Sequence, residues 1–439
     1  MSFFCYNFSM EQVIIIGGGL AGTEAAFFLA EKGIKVKLYE MRPKVNTPAH
    51  HSDKLGELVC SNSLKSKELT NACGLLKKEM EIYNSLMMQV AKKVSVPGGN
   101  ALCVDRELYS EEVTRIITNH QNIEVVYEEV TELTTHVPVI MASGPLTSKK
   151  LEEALGKLID TKFLHFFDAS APIIEKDSIN MDIAYYKSRY DQGDDAYINC
   201  PFTKEEYYRF YDELINAKIA SLHEIDMKYF DACVPIEVLA KRGPKTLRFG
   251  PLKPRGLGKD ADHKPYAVLQ LRQDNVIGTL YNLVGFQTNL TYAEQRRVFR
   301  MIPGLEKAEF VRYGLMHRNT FVNAPHVLAI DKSLKGNPNI YIAGQLSGVE
   351  GYVESAASGL YVALNIYAKI KGVELSYPNE TMLGSLMYYI HTANPENFAP
   401  MNANFGIIKG ATKQNRMEIA EKSLKITKKY KEYIDALNE

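Results

Sequence analysis

At 439 residues the chain exceeds the size at which a single hydrophobic core usually stops growing, so we expect two or three structural units. Its 52 basic and 52 acidic residues balance, which excludes a globally basic RNA-binding protein and allows only a local basic patch. No stretch reaches the apolar length of a membrane span, and the first ten residues lack the pattern of a secretory signal. We therefore expect a cytoplasmic protein.

A phosphate-binding turn near the start of the chain is the most informative feature. An apolar run, 13–16, ends in a tight glycine turn, and a helix follows from Leu20. Small residues let backbone N–H groups approach a pyrophosphate, and the positive end of the helix points at the same charge. The residues expected to contact a cofactor here are Gly17, Gly18, Gly19, Leu20, Ala21 and Gly22.

A second apolar strand, 34–39, follows the first helix and ends at Glu40. A carboxylate at this position accepts hydrogen bonds from an adenosine ribose and disfavours a 2′-phosphate. Strand, glycines, helix, strand and acid in this order are far more specific than a lone glycine pattern. This part of the chain predicts a bound dinucleotide on a Rossmann-like α/β fold.

Beyond Glu40 the chain alternates between loops, helices and strands. A loop rich in Pro, His and polar residues spans 42–62, and long ordered loops are usually functional. Helical patterns fill 64–92 and 106–119, and strands follow at 123–130 and 137–144. His50, His51 and Asp53 lack a partner pair at zinc spacing, so we expect this loop to contact a cofactor or its neighbours and expect no metal site.

From 148 to about 321 the sequence is rich in Tyr and Phe, with short strand-like runs and no second glycine fingerprint. We interpret this part as an inserted α+β domain for the substrate. It contains a basic segment, 241–264, whose only acids are Asp260 and Asp262, and Arg296, Arg297 and Arg300 follow it. The cations of the basic segment are Lys241, Arg242, Lys245, Arg248, Lys253, Arg255, Lys259 and Lys264. A phosphate-binding surface and an ordinary solvated loop both explain this pattern.

A second strand-to-helix turn follows the inserted part. Residues 339–345 form a strand pattern that ends in Gly344 and Gln345, and a helical pattern begins after Gly351. In a flavoprotein with two glycine turns, this one would hold the ribityl-phosphate end of the flavin. A purely structural turn is the alternative.

The tail, 416–439, predicts a lysine-rich amphipathic helix. We expect it to dock on the body of the protein rather than to serve as a free partner helix. The residues available for packing are Ile419, Leu424, Ile426, Tyr430, Tyr433, Ile434 and Leu437.

Six cysteines are scattered without a C-x-x-C pair, which favours free thiols in a reducing compartment. Cys60 lies near the start of a predicted helix, whose N–H dipoles would lower the pKa of its thiol. Cys233 precedes a proline turn and the basic segment, where a thiol would face a bound polyanion. Both are candidate nucleophiles, and the alternative for each is a small buried hydrophobic side chain.

Strings of residues along nearly the whole chain resemble the folate- and FAD-dependent RNA (uracil-5-)methyltransferases, a family described by its action on the T-loop uridine of tRNA. These strings are 17–22, 38–43, 47–51, 58–64, 187–190, 235–237, 316–320 and 348–355. They are much more specific than a dinucleotide motif alone.

The resemblance implies FAD as cofactor, with 5,10-methylenetetrahydrofolate and NAD(P)H as co-substrates, and methylation of a uracil at C5. Uracil C5 is a poor nucleophile until a thiolate adds at C6, and a base must then remove the C5 proton. By resemblance, Cys233 is the nucleophile and Cys60 its partner in proton removal, an assignment that stays open to exchange. Tyr352 resembles the active-site tyrosine of the family, with plain packing as the alternative. The cofactor-binding positions carried over are Arg42, Gly344, Gln345 and Gly351.

The predicted architecture is a Rossmann-like FAD-binding domain in two parts, 11–150 and 322–410, with an inserted substrate and RNA-binding domain, 151–321, and a C-terminal helix, 411–439. The RNA is tRNA or, in a diverged member, ribosomal RNA, because flavin and folate chemistry leaves recognition to the surface. Two alternatives remain open: an FAD-dependent oxidoreductase of small molecules and a non-catalytic RNA-binding flavoprotein. We expect no membrane association and no obligate protein partner.

Overall fold

Strands and helices alternate along the N-terminal part of the chain. The computed structural model describes residues 12–47, 50, 52–58, 62–96, 100–159, 164–165, 168–169, 171–187, 189, 197–220, 234–259, 264–273, 278–314, 316–317 and 320–437. Within them the helices are α1 Leu20–Glu31, α2 Ala72–Ile82, α3 Leu86–Lys93, α4 Arg106–Thr118, α5 Lys149–Gly156, α6 Lys204–Asn216, α7 Ile236–Lys241, α8 Thr246–Phe249, α9 Tyr292–Phe299, α10 Ala324–Val327, α11 Tyr352–Ile370, α12 Met382–Thr392 and α13 Arg416–Ala436. The strands are β1 Gln12–Ile16, β2 Lys35–Glu40, β3 Ser63–Ser66, β4 Ser95–Val96, β5 Ala101–Val104, β6 Ile123–Tyr127, β7 Val139–Met141, β8 Leu164–His165, β9 Asp168–Ala169, β10 Ile173–Glu175, β11 Tyr185–Tyr186, β12 Tyr197–Phe202, β13 Ala267–Gln273, β14 Leu280–Leu283, β15 Phe310–Arg312, β16 Met316–His317, β17 Phe321–Val322, β18 Ser333–Leu334 and β19 Asn337–Ile342.

The chain divides into a first unit, Met1–Phe166 with Asn319–Glu439, and a second unit, Phe167–Arg318. The second unit therefore interrupts the first along the sequence. Helix α5 belongs to the first unit, where Thr320 donates a hydrogen bond to its residue Glu152. No helix in the described part of the chain combines the length and apolar character needed to cross a membrane.

A sheet of six described strands, in the order β18-β19-β7-β1-β2-β6, organises the first unit. The strands β19, β7, β1, β2 and β6 are parallel, and β18 pairs antiparallel at the edge. In this register Ile15 lies beside Leu38 on one side and Ile140 on the other. All three side chains are fully buried, which is why these strands read as apolar runs.

Helices α1 and α11 pack against each other at very short range. A Cβ added at Gly359 of α11 would lie 2.1 Å from the backbone oxygen of Ala21 in α1. Both helices are rich in alanine and buried on most of their surface, as expected for helices inside a core. The N-terminal and C-terminal parts of the first unit therefore share one interior.

The prediction of helix throughout 64–92 is wrong at its start. Residues 63–66 form strand β3, which pairs antiparallel with β5, and the first helix begins only at Ala72. Asn71 sets that boundary, because its side chain accepts a hydrogen bond from the backbone N–H of Cys73 at 3.0 Å. The prediction that Cys60 lies near the start of a helix depended on the same pattern. It loses its basis, because the next described element after Cys60 is strand β3.

In the second unit an antiparallel sheet of described strands follows the order β11-β12-β13-β14-β10-β15. Helix α6 begins with a capping box between Thr203 and Glu206 and buries its aromatic face on the core. The aromatic residues of this core are Phe202, Tyr207, Phe210, Tyr211, Tyr281, Phe286 and Phe299. They account for the aromatic composition of this part of the sequence.

Helix α13 docks on the first unit, but mostly through residues that the amphipathic pattern did not select. Its buried residues are Ala420, Ser423, Thr427 and Ile434. Tyr433, which we expected to pack, is exposed. Polar contacts determine which face of α13 packs on the first unit. Ser423 donates a hydrogen bond to the buried Glu79, and Lys32 forms an ion pair with Asp435 at 2.6 Å.

Candidate functional site

A cleft in the first unit lies at the carboxyl ends of the parallel strands. Each strand contributes its last residues or the turn that follows it. These lining residues are Ile16, Gly17 and Gly19 after β1, Tyr39 and Glu40 from β2, Ala142 and Ser143 after β7, and Gly344 and Gln345 after β19. Ligands of open α/β sheets bind at this edge, so the cleft is the candidate site.

The turn between β1 and α1 is closed by backbone contacts that only glycine permits. Gly17 has φ +109°, and its N–H donates to the Tyr39 oxygen at 2.8 Å. A Cβ at Gly17 would lie 2.5 Å from the Ala142 oxygen, and one at Gly22 would lie 1.9 Å from the Gly17 oxygen. The turn thus holds β1, β7 and α1 close together.

Gly19 differs from its neighbours because a Cβ there would meet nothing within 4 Å. It is the N-cap of α1, and no side chain caps the helix. Gly19, Leu20 and Ala21 all line the cleft. The uncapped, positive end of α1 therefore faces open space, as a pyrophosphate site requires.

Glu40 is 6% exposed at the end of β2 and anchors the turn with its carboxylate. Its Oε2 accepts the N–H of Gly18 at 2.9 Å, and its Oε1 accepts the backbone N–H and the Nε of Arg42, both at 3.0 Å. The carboxylate is thus fixed at the edge of the cleft. Each oxygen keeps acceptor capacity for a ribose hydroxyl.

Arg42 is 2% exposed and is engaged mainly by protein groups. Besides Glu40, it donates to the backbone oxygens of Ser52 and Lys54 and to the Glu57 carboxylate at 2.9–3.1 Å. Arg42 lines the cleft while its guanidinium organises the loop after β2. These contacts indicate that the main role of Arg42 is to hold Glu40 and this loop in place.

The second strand-to-helix turn completes the cleft. Gly344 has φ +71°, and its N–H donates to Ser358 Oγ at 2.6 Å. Gly351, with φ +120°, is the N-cap of α11, which also lacks a side-chain cap. Gln345 and Tyr352 line the cleft, whereas Gly351 is not among its lining residues. Two uncapped helix starts on one cleft, with a carboxylate at its edge, fit the charges of a flavin dinucleotide.

Two charged residues that the sequence analysis did not select lie behind this turn. Glu354, in the first turn of α11, is fully buried, and its Oε1 lies 3.1 Å from Lys65 Nζ and accepts the Ala403 N–H at 3.1 Å. Although burial by itself would lower it, the Glu354 carboxylate raises the pKa of Lys65 to about 12. Glu354 lies in the shared string 348–355, and this string was the sequence signal that could have identified it as a residue of the site.

Comparisons with known proteins agree with this geometry. The sequence model of the family described as glucose inhibited division protein A matches residues 12–374. The methylenetetrahydrofolate–tRNA-(uracil-5-)-methyltransferase TrmFO of Natranaerobius thermophilus is 53% identical, over 95% of this chain and 99% of its own. The chain belongs to the TrmFO family. The relative of the same name from Anoxybacillus flavithermus is 56% identical, over 90% of this chain and 92% of its own.

The predicted fold class, a Rossmann-like α/β FAD-binding fold with two strand-to-helix turns, is confirmed for this member of the TrmFO family. The solved structure of Aquifex aeolicus GidA in its form II crystal aligns with a TM-score of 0.48 and 16% identity, covering 96% of this chain and 74% of that one.

The two cysteines singled out in this TrmFO-family chain, Cys60 and Cys233, lie outside the described residues. Three other cysteines are described. Burial raises the pKa of Cys73 to about 11, with the Glu354 charge adding to it, and burial also raises the pKa of Cys200. A thiol with a raised pKa is a poor nucleophile, so neither residue is a candidate for attack on uracil. Cys103 is half-buried on β5.

The basic residues of the second unit fall into two groups. Arg296 donates to the Tyr313 hydroxyl, Arg297 forms ion pairs with Glu213 and Glu294, and Arg300 donates to the Ala308 oxygen, so these arginines serve the fold. In the basic segment, Lys245, Lys253 and Arg255 are instead exposed. The basic segment therefore remains the candidate phosphate-binding surface, without the arginines that follow it.

Proposed function

We propose that this protein forms 5-methyluridine in tRNA, taking the carbon from 5,10-methylenetetrahydrofolate and using FAD as its bound cofactor. The observation that carries the proposal is the 53% identity to the Natranaerobius thermophilus enzyme over 95% of this chain and 99% of that one. Such similarity extends over the cleft and both helix starts that border it. We place the activity in the cytoplasm, where its tRNA substrate is found.

The residues of the cleft fit FAD. The start of α1 at Gly19 would hold the pyrophosphate, Glu40 the adenosine ribose, and the turn at Gly344 and Gln345 the ribityl side. When bound and reduced, FAD supplies the electrons that convert the transferred methylene into a methyl group. NAD(P)H is the proposed reductant, and Glu40 does not decide between NADH and NADPH because it serves the adenosine of FAD.

A thiolate is required to make uracil C5 reactive. In the proposal Cys233 adds to C6 and Cys60 assists removal of the C5 proton, after which Cys233 leaves C6. The raised pKa values of Cys73 and Cys200 support this choice, because they remove two other thiols as nucleophiles. Tyr352, at the wall of the cleft, would stack on the reacting rings.

The experiment uses purified protein, tRNA transcript, NADPH or NADH, and methylenetetrahydrofolate carrying a labelled methylene carbon. We expect a yellow protein that releases FAD on denaturation and places the label on C5 of a single uridine. Replacing Cys233 or Cys60 by Ala abolishes incorporation, whereas the matched variant Cys103→Ala keeps it. A colourless protein, or label incorporation that persists in Cys233→Ala, contradicts the proposal.

The choice of RNA is tested in cells that lack the gene. We propose tRNA as the substrate, so 5-methyluridine disappears from tRNA and stays in ribosomal RNA. Loss from ribosomal RNA alone assigns the protein to the other target.

A further inference from the structure

Residues 241–259 of the basic segment form an ordered surface of the second unit. Leu247 and Leu252 are fully buried in the core, and the Leu252 N–H donates to the Leu247 oxygen at 2.8 Å. Tyr207 and Tyr211 donate from their hydroxyls to the backbone oxygens of Pro244 and Ala240. Two leucine anchors and two tyrosine hydrogen bonds therefore fix how this stretch of chain is presented.

Phe249 ends helix α8 between these anchors and points away from the core. It is 79% exposed, more than any other large hydrophobic side chain in the described part of the chain. Leu247, two residues earlier, is buried, so the helix turns its leucine inward and its phenylalanine outward. Packing against the described residues therefore does not explain the aromatic ring.

The sequence on both sides of Phe249 is rich in basic residues and contains no acidic ones. Residues 241–259 contain seven Lys or Arg and no Asp or Glu. Among the described residues, no carboxylate forms an ion pair with Lys245, Lys253 or Arg255. Arg189 donates to the backbone oxygens of Lys253 and Arg255, so the backbone that carries these two side chains is also held in place.

An arginine beside Phe249 shows the same combination of charge and aromatic surface. The Arg248 guanidinium carbon lies 3.7 Å from the centre of the Tyr266 ring, and its Nε donates to the Tyr266 oxygen at 2.8 Å. The Tyr266 hydroxyl in turn donates to that of Tyr208 at 3.3 Å. Phe249 therefore lies next in sequence to a planar, cationic group that is held in place.

We propose that Phe249 is a stacking platform for an unpaired base of the RNA substrate, and that Lys245, Lys253 and Arg255 bind phosphates of the same strand. This inference rests on the proposed function and adds the residues that recognise the RNA. An exposed aromatic ring, close in sequence to cations that pair with no described carboxylate, matches single-stranded nucleic acid, whose bases offer a π-face and whose backbone offers negative charge. Paired bases are stacked within their helix and are closed to such a ring, so the partner is a loop.

The test measures binding by the FAD-loaded protein, with fluorescence anisotropy of two labelled RNAs. One is a stem–loop with a large unpaired loop, and the other is a blunt duplex of the same length. We expect Phe249→Ala to weaken binding of the stem–loop by roughly 5- to 100-fold and to leave duplex binding unchanged. Phe249→Leu behaves like the Ala variant, whereas Phe249→Trp restores binding, because stacking needs an aromatic ring.

The control for a general loss of aromatic surface is Tyr388→Ala, a partly exposed tyrosine of the first unit, which keeps wild-type binding. Lys253→Gln with Arg255→Gln weakens binding to both RNAs and lowers the slope of log K against log salt by roughly one per lost phosphate contact.

Wild-type affinity in Phe249→Ala or Phe249→Leu overturns this inference while leaving the methyltransferase proposal intact. A wild-type protein that binds neither RNA contradicts the proposed function itself. If Phe249→Ala instead changes the sedimentation of the protein alone, the ring serves contact between copies of the chain, and the inference is wrong.

Discussion

Lys65 Nζ lies 3.1 Å from Glu354 Oε1, which joins the strand that follows the Cys60 segment to the first turn of the helix that begins at Tyr352. The two residues are far apart in sequence; Glu354 belongs to a string shared with the family, 348–355, and Lys65 directly follows another, 58–64. Glu354 is fully buried, and Lys65 is 45% exposed. The pair therefore fixes one wall of the cleft from behind.

Removing the lysine leaves the Glu354 charge buried with fewer partners. We expect Lys65→Met to lower the free energy of unfolding by about 1–2 kcal/mol, less than for a fully buried pair because water screens the exposed lysine. Urea unfolding of the FAD-loaded protein measures this change, and the FAD content after gel filtration shows whether the wall is disturbed. The matched control, Lys92→Met, removes an exposed partner of Glu81 and changes stability by less than about 0.5 kcal/mol. Equal effects of both variants contradict the role of the buried pair.

Replacing Glu40 tests the cofactor edge of the cleft. Glu40→Ala leaves the Gly18 N–H and the Nε of the buried Arg42 without their acceptor, and it removes the proposed ribose contact. We expect the Kd for FAD to rise by roughly 10- to 100-fold. Flavin fluorescence during titration of the apoprotein measures it. Glu124→Ala, an exposed acid on the neighbouring strand β6, is the control and binds FAD normally. Unchanged FAD affinity in Glu40→Ala would remove this residue from the site.

Stability depends on pH through two buried carboxyls. Burial raises the pKa of Glu24 and of Glu79 to about 7, although each caps a helix by accepting two backbone N–H groups, on α3 and α12 respectively. Because the folded pKa lies above the unfolded value of 4.5, folding takes up protons between these limits. The stabilisation is complete below about pH 4.5 and is lost as the pH rises towards 7.

We expect each carboxyl to lower the free energy of unfolding by up to about 1.4 kcal/mol per pH unit within this window. Urea unfolding at several pH values measures the slope, and Glu79→Gln makes it shallower. Glu81→Gln, on the same helix as Glu79, leaves the slope unchanged, since the pKa of Glu81 is lowered by its lysine partners despite some burial. If the free energy of unfolding changes with pH by the same slope in wild type and in Glu79→Gln, the Glu79 carboxyl is not the origin of the pH dependence.

The contact between α1 and α11 is tested at Gly359. A Cβ there would lie 2.1 Å from the Ala21 oxygen, so Gly359→Ala forces apart the helices that carry the two glycine turns. We expect a loss of about 1–3 kcal/mol of stability together with weaker FAD retention, both measurable by thermal unfolding with flavin fluorescence. Gly336→Ala is the control, because nothing lies within 4 Å of a Cβ at that position. Normal FAD retention in Gly359→Ala would contradict this prediction, because it would show that separating α1 and α11 does not weaken FAD binding.

Local pattern was sufficient for much of the fold. The glycine turn at Gly17, the strand that ends at Glu40 and the later turn at Gly344 were all predicted where the structure has them, because each depends on residues close in sequence. The tail helix was predicted, but its packing face was not. Ser423 is buried since it reaches Glu79 on another helix, and an apolar pattern contains no information about such a partner.

Sequence alone determined most of the elements, the cofactor-type turns and the likeness to a folate-dependent methyltransferase family, because glycine conformations, apolar periodicity and shared strings are properties of short stretches of chain. Only the tertiary structure decided that Arg42 is engaged mainly by the protein, that Lys65 meets Glu354, and that Phe249 is exposed while Leu247 is buried. These facts depend on which distant segments come together, and burial and charge pairing act across space rather than along the chain.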